Sequence, residues 1–460
     1  MLDLATIVKA YDVRGTVPEQ LNPEVARALG AATAQTVGAA EFVVGHDMRE
    51  SGPQLLSAFA DGIASRGANV VNIGLASTDM LYFASGALDL PGAMFTASHN
   101  PAEYNGVKLC RAGAQPIGQD SGLVDIRNLA QGYLRSGPPE SVARIGTLRS
   151  VNLLADYARY LRGLVDVSGS RALKVVVDAG NGMAGYTVPA VLGDAELDAL
   201  PMQIVPLYFE LDGTFPNHEA NPLEPANLVD LQRAVVAEHA DIGLAFDGDA
   251  DRCFFVDADG AAVSPSTITA LVAARELAKF PGAAVIYNLI TSRAVPEIIA
   301  EHGGRPVRTR VGHSFIKAEM ATTDAVFGGE HSAHYYFREF WRADTGMLAA
   351  LHVLAALGEQ DSTLAELTAR YSRYSASGEI NSRVDDQDAR VAAIRSYYQA
   401  RGATFDELDG LTVDLPDGCW LNVRASNTEP LLRLNVEAAT AEAMITVRDE
   451  ALAIIRSGTA

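Results

Sequence analysis

Short apolar runs that end in Gly, Asp or Asn recur along the chain. "EFVVGHD" (41–47), "KVVVDAGNG" (174–182), "DIGLAFDGDADR" (241–252) and "AAVIYNL" (283–289) carry Val, Ile or Phe at both parities. That is the pattern of strands buried on both faces, in sheets covered by helices. Between them, "PEVARALGAATAQTV", "GPQLLSAFADGIASRG", "NLVDLQRAVVAEHA" and "SPSTITALVAARELAKF" space their apolar residues at helical intervals. Strands alternating with helices predict α/β layers. Ligands of such sheets sit beyond the carboxyl ends of the strands, so chemistry is expected at the polar residues that close these runs.

The same pattern divides the chain. A turn-rich break, "LRSGPPESVARIG", covers 134–146, and the helical "NLLADYARYLRGLV" precedes the strand at Lys174. A second unit is therefore expected from 150, and a third just after Arg252. Near 370, "ARYSRYSASGEINSRVDD" introduces more charge and shorter strands. The expectation is three similar mixed α/β domains at 1–149, 150–252 and 253–368, and a smaller C-terminal α+β domain at 369–460. No repeat of fixed period is present.

Composition narrows the partners. The 460 residues include 36 Lys and Arg against 57 Asp and Glu, a formal net charge of −21. Such a field disfavours nucleic acid and anionic membrane. An anionic small substrate would need locally clustered basic residues. Cys110, Cys253 and Cys419 are far apart and show no paired spacing, so buried filler in a reducing compartment is expected. The start "MLDLATIVKAYDVRG" has no signal-peptide pattern, and no run of about 18 apolar residues occurs. The expectation is a soluble, cytoplasmic protein, a monomer or weak dimer.

The strongest chemical signal is "DGDADR", Asp247 to Arg252. Carboxylates at alternate positions after an apolar strand can be aimed to one side. Three converging carboxylates need a cation, and hard oxygen ligands suit Mg²⁺ or Ca²⁺. An EF-hand loop is excluded, because Arg252 stands where Gly is needed and Ala258 where Glu is needed. Arg252 suits a phosphate contact. In "FTASHNPAEYNGVK", Ser98 taken alone reads as a turn serine bonded to its own backbone. His99 and Lys108 would add positive charge, and a phosphorylated Ser98 could offer the metal an oxygen. Together the two stretches read as a phosphoryl-transfer centre.

Three further stretches add polar groups. In "GGEHSAHYYF", Glu330, Ser332 and His334 alternate, so a strand or extended loop would present them together, either to sugar hydroxyls or to solvent. In "RASNTEPLLRL", Ser426, Asn427 and Thr428 lie between Arg424 and Arg433, a set suited to phosphate or to a polar hairpin turn. Arg14, His313 and Lys317 are basic residues near glycines, each alone a weak signal.

"YDVRG", "TASHNP", "DGDADR", "GEHSAH" and "RASNTEP", in this order, resemble the α-D-phosphohexomutase family along essentially the whole chain, closest to its bacterial phosphomannomutase/phosphoglucomutase type. The resemblance implies four domains around a central cleft. It implies a phosphoryl group on Ser98, and Mg²⁺ held by Asp247, Asp249, Asp251 and an oxygen of that phosphoserine. Glu330 and Ser332 would bind sugar hydroxyls. Arg424, Ser426, Asn427, Thr428 and Arg433 would bind the phosphate that does not react. Arg14, Lys108, Arg252, His313 and His334 would surround the reacting groups, with Lys108 and His334 the candidate proton carriers, and His99 would touch substrate. The implied reaction interconverts hexose 1-phosphate and hexose 6-phosphate, of mannose or glucose, through a 1,6-bisphosphate. Glucose or mannose 1,6-bisphosphate would serve as activator.

Departures from the family pattern are His331 for Met and Ala333 for Gly in the sugar loop, and Ile290 where some relatives place a lysine. Competing readings are a phosphoglucosamine mutase, an aspartyl-phosphate phosphatase using Asp247 and Asp249, and a non-catalytic sugar-phosphate-binding protein.

Overall fold

The computed structural model describes residues 3–137, 140, 142–425 and 431–457, with His313 described by its backbone alone. The chain forms two compact units, Met1–Pro265 with Ser332–Leu367, and Ser266–His331 with Thr368–Ala460.

In the first unit, one sheet runs Val13–Thr16, Tyr104–Arg111, Gly92–Phe95, Glu41–His46, Asn69–Leu75 and Leu148–Ser150 across its width. Its last four strands are parallel, and the first three are joined antiparallel. The predicted helices Pro23–Val37 and Gly52–Ser65 belong to its core. Asn22 starts the former by accepting from the Val25 amide at 3.1 Å, with Pro23 in the first turn.

The second sheet has the order Ala262–Val263, Cys253–Asp257, Ile242–Phe246, Leu173–Asp178 and Met202–Leu207. Ile242–Phe246 is buried at every residue, as its unbroken apolar run predicts. It pairs in parallel with Leu173–Asp178 and antiparallel with Cys253–Asp257. The break expected just after Arg252 therefore cuts a hairpin. "DGDADR" is the loop of that hairpin, and the sheet extends to Val263. A run of Val and Phe does not reveal whether it begins a new sheet or returns along the old one. The hairpin Tyr335–Phe337 with Ala343–Asp344 leads into the helix Gly346–Gly358, buried at all its positions. A Cβ at Gly346 would lie 2.6 Å from the Arg252 carbonyl carbon, so this helix starts against the end of the acidic loop.

The second unit contains the parallel strands Arg305–Thr309, Ala284–Asn288 and Phe327–Gly329. It also contains an antiparallel sheet, ordered Ser375–Ala376, Leu431–Ala438, Trp420–Ala425, Leu411–Asp414 and Thr404–Asp406, with Ile380–Arg383 paired to Leu431–Ala438. The helices Gln387–Gln399 and Ala441–Arg456 contribute Ile394, Tyr398, Val447, Ala451 and Ile455 to its core. A mixed-sheet pattern followed by an antiparallel α+β end is the fold class expected above.

The segment after Phe327–Gly329 differs from expectation. It turns at His331 and Ser332, and Ala333 has a left-handed φ of 64°. Alternation in a strand or extended loop is therefore not what presents Glu330, Ser332 and His334. Cys110, Cys253 and Cys419 are buried free thiols. Among the described residues no helix is long and apolar enough to cross a membrane.

Candidate active site

Ser98 lies three residues past the carboxyl end of Gly92–Phe95 and is 5% exposed. Its φ is 49°, a left-handed conformation uncommon outside glycine, which persists only where surroundings enforce it. The enforcement is visible. Thr96 Oγ1 accepts the Ser98 amide at 2.9 Å. The buried Arg49 donates to four carbonyls of this loop: Ser98 at 2.9 Å, Asn100 at 2.6 Å, and Pro101 and Tyr104 at 2.8 Å each. Arg49 is itself held by Asp47 at 3.4 Å and lies over the Phe215 ring. Gly248 of the acidic loop packs against the same carbonyl, since a Cβ there would stand 2.4 Å from Ser98 O.

Ser98 Oγ thereby faces the hairpin loop. It donates to Asp247 Oδ2 at 2.8 Å, and His99 Nδ1 lies 3.0 Å away. Asp247, Asp249 and Asp251 are all buried, and one oxygen from each lies within 4.8 Å of the others. Ala250, with φ 59°, turns the loop between them. Lys108 Nζ bridges Asp249 Oδ2 at 2.7 Å and Asp251 Oδ2 at 2.6 Å. Arg252 closes on Asp247 through its amide, Nε and Nη2. Thr78 Oγ1 donates to Asp249 Oδ2 at 2.6 Å.

Two formal cations thus face three carboxylates. Burial, reinforced by the neighbouring Asp251 and Asp249, pushes the Asp247 carboxyl up to about 8 despite Arg252. Burial acts on Asp249 in the same sense, but Lys108 and the Thr78 hydroxyl outweigh it and hold that carboxyl well below the usual range. The same carboxylates hold the Lys108 ammonium up against its desolvation. The buried Oδ1 atoms of Asp249 and Asp251 accept no hydrogen bond from the described residues. Unused carboxylate oxygens converging beside a carboxyl that burial favours in its protonated form fit a hard divalent cation, which would restore the charged state of Asp247.

His99 requires a correction. It was expected to add positive charge, but burial, then Arg252 and Arg14, push its imidazole down to about 2. It is neutral, and its Nδ1 accepts from Arg252 Nη2 at 2.6 Å. Arg14 is tied to Asn100 Oδ1 at 2.5 Å and to Asp12 at 2.7 Å. His334 bridges to Arg252 through the backbone, with Nε2 3.8 Å from Asp251 Oδ1 and Nδ1 3.1 Å from Ser332 Oγ. Ser98, His99, Lys108, the three aspartates, Arg252, Ser332 and His334 therefore form one connected group, with Arg14 at its edge.

The second unit holds the other candidates. Glu330 Oε1 accepts from Asn288 Nδ2 and the Gly312 amide, each at 3.2 Å. Ile290 is buried two residues after the strand Ala284–Asn288, and Lys317 is buried on the helix His313–Thr323. Arg424 and Arg433 stand directly opposite each other on paired strands. Ser426, Asn427, Thr428 and the side chain of His313 lie outside the described residues.

Sequence reasoning missed Arg49, Asp47 and Thr78. The acidic-basic pair in "GHDMRESG" closes an apolar run and was open to notice. Nothing in "ASTDM" marks Thr78, whose reach to Asp249 exists only after folding. Its neighbour Asp79 accepts from Tyr157 and Thr345 at 2.7 Å each and from Ser77.

Comparison with known proteins agrees along the whole chain. Family models described as phosphoglucomutase/phosphomannomutase alpha/beta/alpha domains I, II and III match residues 5–131, 155–260 and 264–374. The model of the C-terminal domain of the same family matches 379–454. A phosphomannomutase of Escherichia coli is 40% identical over 456 residues, 98% of this chain and 99% of that protein. Phosphohexose mutases of Xanthomonas campestris are 40% identical over 454 residues, 98% of this chain and 99% of theirs. A solved phosphoglucomutase/phosphomannomutase family protein of Burkholderia thailandensis superposes with a TM-score of 0.87 at 31% identity, covering 100% of this chain and 99% of that one.

Proposed function

Because this chain belongs to the phosphoglucomutase/phosphomannomutase family, we propose that it interconverts hexose 1-phosphate and hexose 6-phosphate, of mannose and glucose, through a phosphorylated Ser98 and a hexose 1,6-bisphosphate. The observation that carries this reading is Ser98 Oγ, held by an enforced backbone 2.8 Å from a carboxylate of the buried aspartate cluster, with Arg252 and Lys108 alongside. A solvated turn serine has no need of such enforcement.

The proposed roles follow from this chemistry. Phosphoserine would bring close to two further negative charges to three carboxylates. Lys108 and Arg252 offset part of that, and Mg²⁺ held by Asp247, Asp249, Asp251 and a phosphoserine oxygen would offset most of the rest and polarise the phosphoryl group. In the forward step the P–Oγ bond of Ser98 breaks and a bond from phosphorus to the sugar O6 or O1 forms, while the attacking hydroxyl loses its proton. Lys108 is held as an ammonium, so it suits stabilising the reacting oxygens and donating a proton. His334 suits accepting one, steered by Ser332. His99, neutral, orients Arg252 and the Ser98 hydroxyl. The other phosphate then returns to Ser98 once the bisphosphate has turned. Glu330 and Ser332 would hold sugar hydroxyls. Arg14 and His313 would contact the reacting phosphate, and Arg424, Ser426, Asn427, Thr428 and Arg433 the other one. Glucose or mannose 1,6-bisphosphate would prime Ser98.

Asp247 is a poor nucleophile for the phosphatase alternative, since burial and Arg252 engage it fully. We place the domain boundaries near 150, after Val263 and near 369, and the protein in the cytoplasm as a monomer or weak dimer.

The test is turnover with Mg²⁺ and a trace of glucose 1,6-bisphosphate, offering mannose, glucose and glucosamine 1-phosphates in parallel. Use of the first two, abolished in Ser98→Ala, is expected. Preference for the amino sugar would move the chain to the glucosamine branch. Full activity in Ser98→Ala would reject the phosphoserine mechanism.

A further inference from the structure

Arg424 and Arg433 occupy directly opposed positions on antiparallel strands, so their guanidinium groups share a face. Like charges so placed destabilise a strand pair unless an anion lies between them. Glu379 supplies that anion. It precedes Ile380–Arg383, which pairs to the far side of the strand carrying Arg433. Its Oε2 lies 3.3 Å from Arg424 Nη2, and its Oε1 lies 3.6 Å from Arg433 Nη1. The two oxygens thus divide between the two arginines as two oxygens of a phosphate would. An imidazole faces the same carboxylate, charged only when protonated: His331 Nε2 is 3.9 Å from Glu379 Oε2. Asp409 flanks Arg424 at 3.7 Å from the other side, and its Oδ2 also accepts from the Val311 amide. With imidazole neutral, two arginines therefore face two carboxylates, and the cluster presents no net charge to an arriving anion.

We propose that Glu379 is a built-in counter-ion of an anion site made by Arg424, Arg433 and His331, and that a substrate phosphate binds by displacing its carboxylate. This rests on the reading of Arg424 and Arg433 as phosphate ligands and adds two residues to it. His331 lies in the turn after Phe327–Gly329, and its place in the cluster gives it a chemical role. The device has a physical use. Without ligand, Glu379 keeps two guanidinium groups aligned and spares the strand pair their repulsion. With ligand, the carboxylate competes, so the phosphate is held loosely enough to be released and rebound when the bisphosphate turns. Displacement needs only rotation of the Glu379 side chain, which is 17% exposed and lies next to Gly378.

The experiment measures inorganic phosphate binding by calorimetry, and its effect on Tm, at constant ionic strength. It compares the full-length protein with Glu379→Gln, His331→Gln and Arg424→Gln. Glu379→Gln keeps the side-chain shape and removes the charge. It is expected to bind phosphate about fivefold more tightly and to lower KM for glucose 1-phosphate without raising kcat. Its Tm should fall without phosphate and gain more than the wild type when phosphate is added. His331→Gln should weaken binding about threefold. Unchanged or weaker phosphate binding in Glu379→Gln would overturn the proposal, because Glu379 would then be orienting the arginines for the ligand. Unchanged binding in His331→Gln would remove His331 from the site. If Arg424→Gln kept full phosphate binding and an unaltered KM, the reading of the arginines as phosphate ligands would fail, and this proposal with it. Loss of binding in Arg424→Gln with no change in Glu379→Gln would reject the counter-ion alone.

Discussion

The residue that fixes Ser98 is not chemically reactive. Arg49 spends four hydrogen bonds on the carbonyls of residues 98, 100, 101 and 104, and thereby holds Ser98 in a conformation its side chain disfavours. Asp47 pairs with it at 3.4 Å, and burial raises the Asp47 carboxyl and lowers the Arg49 guanidinium from their ordinary values. Removing one partner leaves the other charge buried and uncompensated. Arg49→Met should therefore cost about 3–5 kcal/mol in denaturant unfolding. The double variant with Asp47→Asn should cost clearly less than the two single costs added together. Additive costs would show that the pair is not coupled. Gly248→Ala places a methyl 2.4 Å from Ser98 O, a contact between backbone groups that a side-chain rotation cannot relieve. We expect kcat to fall by about a hundredfold with the far-UV spectrum unchanged; near-normal kcat would mean the loop tolerates displacement. Ser98 and the three aspartates were legible in the sequence because their loops follow directly on apolar runs, where the ends of strands present polar groups. The charge of His99 was not legible, since it is set by burial and then by Arg252 and Arg14, distant in sequence.

At the scale of elements, most strands and helices follow the apolar pattern. Pro23–Val37 begins and ends as its capping residues dictate. Two misreadings share one cause. The hairpin return after Arg252 and the turn after Gly329 both depend on pairing partners and on non-glycine residues at positive φ, which periodicity does not encode. Asp79 shows how elements are joined. From the first turn of the helix Thr78–Leu88 it accepts from Tyr157, on the helix Leu154–Leu164, and from Thr345, the cap of Gly346–Gly358. Burial raises its carboxyl to about 6, against 3.8 for the free group, although those hydrogen bonds oppose the shift. Between these values the folded state binds more protons than the unfolded state. This group's contribution to stability is thus fully present below pH 4 and is lost as pH rises through 6, by about 3 kcal/mol. Urea unfolding of Asp79→Asn should lack that part of the slope between pH 4 and pH 6. A slope identical to the wild type would show that Asp79 ionises normally in the fold.

For the whole molecule, the formal charge of −21 leaves anionic substrates to be met by local clusters rather than by the general field. Basic groups do gather at Ser98 and again at Arg424, and in both places carboxylates neutralise them. Divalent cation should therefore matter for more than rate. Chelation is expected to abolish turnover, and Mg²⁺ added back should raise Tm in the wild type but not in Asp249→Asn; an equal rise in both would place the ion elsewhere. Family membership was legible because the five motifs keep their order across the full length, whereas the partners of His331 became visible only in the fold. Above all, Ser98 is proposed to carry the phosphoryl group that moves. Its most direct measurement is a single turnover. Protein primed with glucose 1,6-bisphosphate and freed of it is mixed with glucose 1-phosphate, while the mass of the Ser98 peptide and the sugar products are followed together. Loss of one phosphoryl mass from that peptide, at the rate at which the bisphosphate forms, is predicted. A peptide that never carries the mass, or keeps it unchanged while product accumulates, would contradict the account.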